Sequence, residues 1–286
     1  MRINSLLLLS LSALALVCCR KPEPSVPHCE FTDSYVEVSS RSAHISFAVD
    51  IPDAVDVQNV GLLVSLTADP SADSKAVSRL AKKSVDPVYT FDVSDLEPNT
   101  QYWFQPFVLT WDDETEYGEA VTSTTREAKM LNGHEFVNLG LKSGTKWAAF
   151  NMEDDSEIGR FEWTGLDKYV SQQWGDRWRM PTKADWEELM EDCFWSWDIQ
   201  KGRQGMLVKG PNGNSIFLPA DGYVSQGHLL QDNEYGAYWT VDPVESVPGC
   251  SWILFYGMDF VYWYNFPQAY SGSVRPVNNS TFYDYD

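Results

Sequence analysis

Trp178-Arg179-Met180-Pro181-Thr182-Lys183-Ala184-Asp185-Trp186-Glu187-Glu188-Leu189-Met190-Glu191-Asp192-Cys193 is the stretch on which the fold turns. Pro181 holds Met180 extended, and Thr182 with Asp185 three residues on has the spacing of a capping box, so a helix is predicted to begin here. Trp186, Leu189, Met190 and Cys193 fall at i, i+3, i+4 and i+7 and form one apolar stripe. Asp185, Glu187, Glu188 and Glu191 are expected to cover most of the remaining surface and face water. The stretch fixes a scaffold without naming a ligand.

C-terminal to it, Met206-Leu207-Val208 and Ile216-Phe217-Leu218 flank Gly210-Pro211-Asn212-Gly213-Asn214, the pattern of a β-hairpin. Strands are also expected at Tyr238-Trp239-Thr240, Ile253 to Tyr256, Phe260 to Tyr264 and Ser273 to Val277, giving a small antiparallel sheet. Gly140, Gly144, Gly159 and Gly165 divide the segment before the helix into turns. One helix on several hairpins predicts an α+β domain.

Further upstream, Ala43, Ile45, Phe47 and Val49 alternate with His44, Ser46 and Ala48, so one face is buried and His44 points away from it. Val60 to Val64 suits a sandwich-core strand, Val88 to Val93 another, and the polar run Thr67 to Lys83 reads as irregular. Leu96-Glu97-Pro98-Asn99-Thr100-Gln101-Tyr102 couples a Pro-Asn turn to a strand, and Tyr117 to Thr124 closes the unit.

Two resemblances follow from these motifs. Leu96, Pro98, Thr100 and Tyr102, with the strand at Tyr117-Gly118, resemble a fibronectin type III domain, which implies that Tyr102 is a buried corner tyrosine bonded back to the preceding turn. Trp178-Arg179-Met180-Pro181-Thr182 with Trp186, the run Gly210 to Ala220, Tyr238-Trp239-Thr240 and Ser273-Val274-Arg275-Pro276-Val277 resemble the major paralogous domain first noted in Fibrobacter and abundant in Bacteroidetes lipoproteins. That domain is similar to the C-type lectin-like fold of formylglycine-generating enzymes. The resemblance implies that the strands around Trp239, Phe255 and Val274 carry the Thr182 helix. The expected fold class is therefore two domains, an all-β fibronectin type III-like sandwich followed by an α+β C-type-lectin-like domain. The expected boundaries are 28–126, a linker at 127–131, 132–277, and a tail at 278–286.

The N-terminal residues are kept apart from the fold. Met1-Arg2 and the apolar run Leu6 to Val17, too short to span a bilayer, read as a signal peptide over 1–18. Leu16-Val17-Cys18-Cys19 resembles the lipoprotein box, which makes Cys19 the lipidated residue. Residues 19–27, with Pro22, Pro24 and Pro27, read as a stalk. The resemblances imply a chain held on the outer membrane by its lipid alone, facing either the cell surface or the periplasm.

With 41 acidic and 21 basic residues the formal charge is −20, which disfavours nucleic acid and anionic lipid surfaces. After Cys19 only Cys29, Cys193 and Cys250 remain. A bridge between Cys193 and Cys250 is open, and no spacing suits zinc. Formylglycine-type oxidation needs a pair of active-site cysteines, yet Cys250 is the sole cysteine after Cys193. The acidic runs Glu153-Asp154-Asp155 and Asp232-Asn233-Glu234 read as solvated loops, like Asp284 and Asp286 in the tail. No catalytic residue, metal or cofactor is expected.

Aromatic side chains are 14% of the sequence and crowd into Trp252 to Tyr270, where alternation sends Phe260, Tyr262 and Tyr264 to one face and Trp263 to the other. Trp252, Tyr256, Tyr262, Trp263 and Tyr264 are the candidate ligand-binding residues, for a glycan or a protein partner. The functional expectation is a non-catalytic envelope lipoprotein that binds through its C-terminal domain. The rivals are an oxidoreductase of the formylglycine type and a structural surface protein without a dedicated ligand.

Overall fold

The computed structural model describes residues 28–70, 75–80, 88–153 and 159–279. The expectations for Cys19, the signal peptide and the stalk, and those for Asp154, Asp155, Asp284 and Asp286, lie outside the described residues.

The first half runs β1 (Glu30–Val38), β2 (Ala43–Asp50), β3 (Val57–Ser65), β4 (Lys75–Leu80), β5 (Val88–Val93), β6 (Gln101–Thr110), β7 (Thr115–Tyr117) and β8 (Val121–Thr124). One sheet has the order β1-β2-β5; the other has β4-β3-β6, with β7 and β8 pairing successive parts of β6. The alternation in β2 sends Ala43, Ile45, Phe47 and Val49 inward, where they meet Val60, Leu62, Phe104 and Val108 from the opposite sheet. Tyr102 is buried, and its hydroxyl accepts a hydrogen bond from the Glu97 backbone N–H at 2.9 Å. The sandwich and the corner tyrosine expected here are both present. The run Thr67 to Lys83, read as irregular, instead contains β4 paired antiparallel to β3.

The second half runs β9 (Lys129–Leu131), β10 (His134–Asn138), β11 (Lys146–Ala148), β12 (Arg160–Glu162), α1 (Leu166–Trp174), α2 (Lys183–Asp192), β13 (Phe194–Gln200), β14 (Arg203–Lys209), β15 (Ser215–Pro219), β16 (Tyr223–Ser225), β17 (His228–Leu230), β18 (Gly236–Pro243), β19 (Cys250–Gly257), β20 (Phe260–Pro267), β21 (Ser271–Ser273) and β22 (Val277–Asn278). These strands make three sheets: β22-β11-β10-β9, the meander β13-β14-β15, and a seven-stranded sheet of order β17-β16-β21-β18-β19-β20 with β12 added on β21.

This arrangement corrects the expected fold class. An α+β domain of the C-type-lectin-like kind is not evident, because the half is built almost wholly of strands and its helices are only nine and ten residues long. Between Gly159 and Gly165, two of the glycines read as turn points, lies the short strand β12, whose three residues pair with β21. The final strand also departs from a simple antiparallel sheet. β21 runs parallel to β18, and the chain then crosses through Val274 to join β11 at β22.

The predicted helix is α2. Thr182 accepts from the Asp185 N–H at 3.1 Å while the Asp185 carboxylate accepts from the Thr182 N–H at 2.7 Å, a complete capping box. Trp186 and Leu189 are buried, with Met190 and Cys193 packed at the margin, and Trp186 meets Tyr238 of β18 edge-on at 5.6 Å. Asp185 does not face water as expected. It is buried and accepts two hydrogen bonds from Arg179, at 2.7 and 3.0 Å, because the extended segment before the cap lays the guanidinium along the first turn.

The seven-stranded sheet separates two cores. Leu254 and Tyr256 of β19 join Trp147, Trp186 and Val208 on one side, while Ile253 and Phe255 join Trp178, Met180 and Trp239 on the other.

Candidate binding surface

β20 is the terminal strand of the seven-stranded sheet and β19 is its only neighbour among the described residues. The pleat divides its rings. Phe260, Tyr262, Tyr264 and Phe266 share one face, with centroids 5.0, 6.3 and 5.5 Å apart from one ring to the next. The register places Phe255 of β19 opposite Tyr262, and its ring lies within 6.3 Å of all four. Tyr223 and Tyr270 extend the array beyond Phe266, and Tyr235 extends it beyond Phe260. Phe255 and Phe266 are buried beneath the layer, whereas Tyr262 is 42% and Tyr264 49% exposed.

A Cβ at Gly257 would come within 2.8 Å of the Tyr235 and Phe260 rings, so the close approach there lets this layer form, while on the opposite side of the sheet a Cβ at Gly236 would come within 2.0 Å of Tyr256 Cζ. Burial, followed by the nearby Tyr270 and Tyr264, pushes the Tyr223 phenol above its usual pKa.

The five residues singled out from sequence are thus not one site. Tyr262 and Tyr264 lie side by side on the open face. Trp252 and Trp263 lie on the other side of the sheet, where the Lys183 ammonium of α2 sits 4.6 and 5.1 Å from their ring centroids. Tyr256 is fully buried and donates its hydroxyl hydrogen toward the Leu218 carbonyl at 2.6 Å, so it holds β15 against the sheet. Tyr223 and Tyr235 were not singled out. Each is partly buried and joins the layer only through a fold that brings β16 and the turn before β18 beside β19, although Tyr235 next to Gly236 is a local trace of the close approach.

The cysteines do not form the bridge left open. Cys29, Cys193 and Cys250 are all free. Burial, with Asp192 and Glu188 beside it, pushes the Cys193 thiol up to about 11, far from thiolate at neutral pH. Among the described residues no group of three or more His, Cys, Asp or Glu side chains is placed to hold a metal ion.

No protein-family model matches the chain, and no curated protein matches it. Solved structures similar to part of it include the sensor domain of the anti-sigma factor RsgI4 from Pseudobacteroides cellulosolvens, at 24% identity over 36% of this chain and 99% of that one, with a TM-score of 0.28. The fn3 domain of human contactin 1 is similar at 19% identity over 42% of this chain and 92% of its own, with a TM-score of 0.28. The sixth fibronectin type III domain of human fibronectin type III domain containing protein 3 is similar at 16% identity over 38% and 94%, with a TM-score of 0.27.

Proposed function

We propose that the chain is a non-catalytic lipoprotein of the cell envelope, tethered through Cys19, that holds a glycan on the aromatic face of β19 and β20. The observation that carries this reading is the pair Tyr262 and Tyr264. Two half-exposed phenol rings stand at successive positions of one strand face, backed by buried rings that keep them from collapsing inward. Such rings offer a rigid apolar plane and a polar hydroxyl, which suits sugar rings with one C–H face and a hydroxyl edge. A formal charge of −20 favours neutral glycans over anionic ones. The raised Cys193 thiol supports setting oxidase chemistry aside.

A protein partner is the second reading, favoured by the position of β20 at the end of its sheet, where an incoming strand could extend the ladder. The full chain in mild detergent should bind members of a broad glycan array. The double change Tyr262→Ala with Tyr264→Ala should weaken that binding about tenfold or more without altering the fold, since both rings are half exposed. Absence of binding across the array, or binding indifferent to the double change, rejects the glycan reading.

A further inference from the structure

A second feature lies away from the aromatic face, at the junction of the two halves. A cleft of about 290 Å³ is floored by Ala149, Phe150, Ile216 and Phe217 and roofed by Arg41, Ser94 and Asp95 of the sandwich. Its size is at the small end for ligand sites, enough for one ring rather than a chain.

The junction that forms it is held by charged contacts. The Arg41 guanidinium donates to both oxygens of Glu135 at 2.7 to 3.1 Å, and Lys209 reaches Asp92 at 2.6 Å. Ser94 donates to Asp198 at 3.2 Å, and Lys201 lies 3.2 Å from Glu97. Arg41, fixed in this way, also lies 4.7 Å from the Phe150 ring centroid, and the ring is still 49% exposed. The back wall is equally fixed. Buried Arg275 donates to Asn151 Oδ1, to the Ala148 and Ala149 carbonyls and to the Phe217 carbonyl, while Asn151 donates to the Tyr238 hydroxyl.

The chemistry of the lining narrows its ligand. Arg203 already pairs with Asp221 and Asp232, Arg41 with Glu135, and Lys201 with Glu97. The cationic groups are therefore already engaged within the protein, Arg275 by four neutral oxygens and the others by carboxylates, and a charged ligand would gain little at the cost of breaking those contacts. What the cleft offers is an aromatic plane rimmed by the polar side chains of Ser94, Gln200 and Ser215. An uncharged molecule with one apolar face and a hydroxylated edge matches it.

We infer that the interdomain cleft is a binding site for one neutral sugar ring, stacked on Phe150 and touching both halves of the chain. The site is separate from the face of β20 and stands whether or not that face binds glycan.

The test titrates the isotope-labelled full chain with glucose, galactose, mannose and N-acetylglucosamine in turn and follows backbone amide shifts. At least one sugar should move the amides of Ser94, Phe150 and Lys201 together, and Phe150→Ala should weaken that binding at least fivefold. Shifts confined to β20 would overturn the cleft while leaving the aromatic-face reading in place. So would the absence of shifts with all four sugars, or cleft binding unaffected by Phe150→Ala.

Discussion

Phe47 and Phe91 lie flat against each other, 5.7 Å apart, at the centre of the sandwich, whereas at the centre of the other half Arg275 holds four oxygen atoms with its guanidinium. The contrast follows from what each half must bury. Two sheets of regular strands satisfy their own backbone groups and need only apolar rows between them. The C-terminal half brings together the ends of short strands, Ala148 to Asn151 leaving β11 and Phe217 to Ala220 ending β15, whose carbonyls find side-chain donors in the interior. Its interior is correspondingly mixed, with Trp147, Trp178, Trp186 and Trp239 fully buried beside Arg275. Cores of this second kind are harder to alter by one residue, because a single donor serves several chain segments.

The largest expected effect tests that statement directly. Arg275→Met keeps length and apolar volume but leaves the carbonyls of Ala148, Ala149 and Phe217 without their donor. A loss of about 3–5 kcal/mol is expected, the range for removing one partner from a buried charged network. Urea unfolding followed by tryptophan fluorescence reads it, since all but Trp103 and Trp111 of the twelve tryptophans lie in this half. An unchanged midpoint would erase the contrast between the halves.

A smaller effect, of about 1.5–3 kcal/mol, is expected for Asp185→Asn, which removes the negative charge from the pair with Arg179 and replaces one of two accepting oxygens with an NH2 that faces the Arg179 or Thr182 donors. Burial alone raises the Asp185 pKa, but the hydrogen bonds from Arg179 and Thr182 outweigh it and the net shift is downward. A depressed folded-state value means that the carboxylate contributes its full stability above the unfolded pKa of about 4. That contribution fades as pH falls from there through the folded value. The C-terminal half of the unaltered chain should therefore lose stability below about pH 4, and Asp185→Asn should flatten that part of the profile. An unaltered slope in the variant would show that other carboxylates govern acid unfolding.

How much of this was legible in the sequence depends on how local the cause is. The helix α2 was, since its cap, its box partner and its stripe all lie within twelve residues. Helix α1 was not. Gly165 at φ 75° opens it without a side-chain cap, and only Leu166 and Val170 mark its buried side. β1 was missed because its outer residues are exposed and its pairing slips between Thr32 and Tyr35, around Asp33 at φ 51°. Alternation in β20 gave the split of Tyr262 and Tyr264 from Trp263, yet it could not show that Lys183 would close over the tryptophans. The cleft left no trace, because Arg41, Ser94, Phe150, Lys201 and Phe217 are brought together only by the docking of the halves.

The smallest expected effect falls in the sandwich, at its own side-chain tie to backbone. Tyr102→Phe removes the acceptor of the Glu97 N–H and nothing else, since the ring stays packed beside Phe104 at 6.3 Å. The corner keeps two further ties, because the Thr125 hydroxyl donates to the Glu97 carbonyl at 2.6 Å and accepts from the Thr100 N–H at 2.9 Å. Glu97 is also exposed, so water replaces the phenol at its N–H. A cost of about 1 kcal/mol is therefore expected, read as a shift in the sandwich's unfolding by amide hydrogen exchange in β6 and β8. Arg275 is only 1% exposed and ties four oxygens from separate segments at once, so its loss is not made good in the same way. If Tyr102→Phe cost as much as Arg275→Met, shared ties and solvent access would not be what separates the two cores.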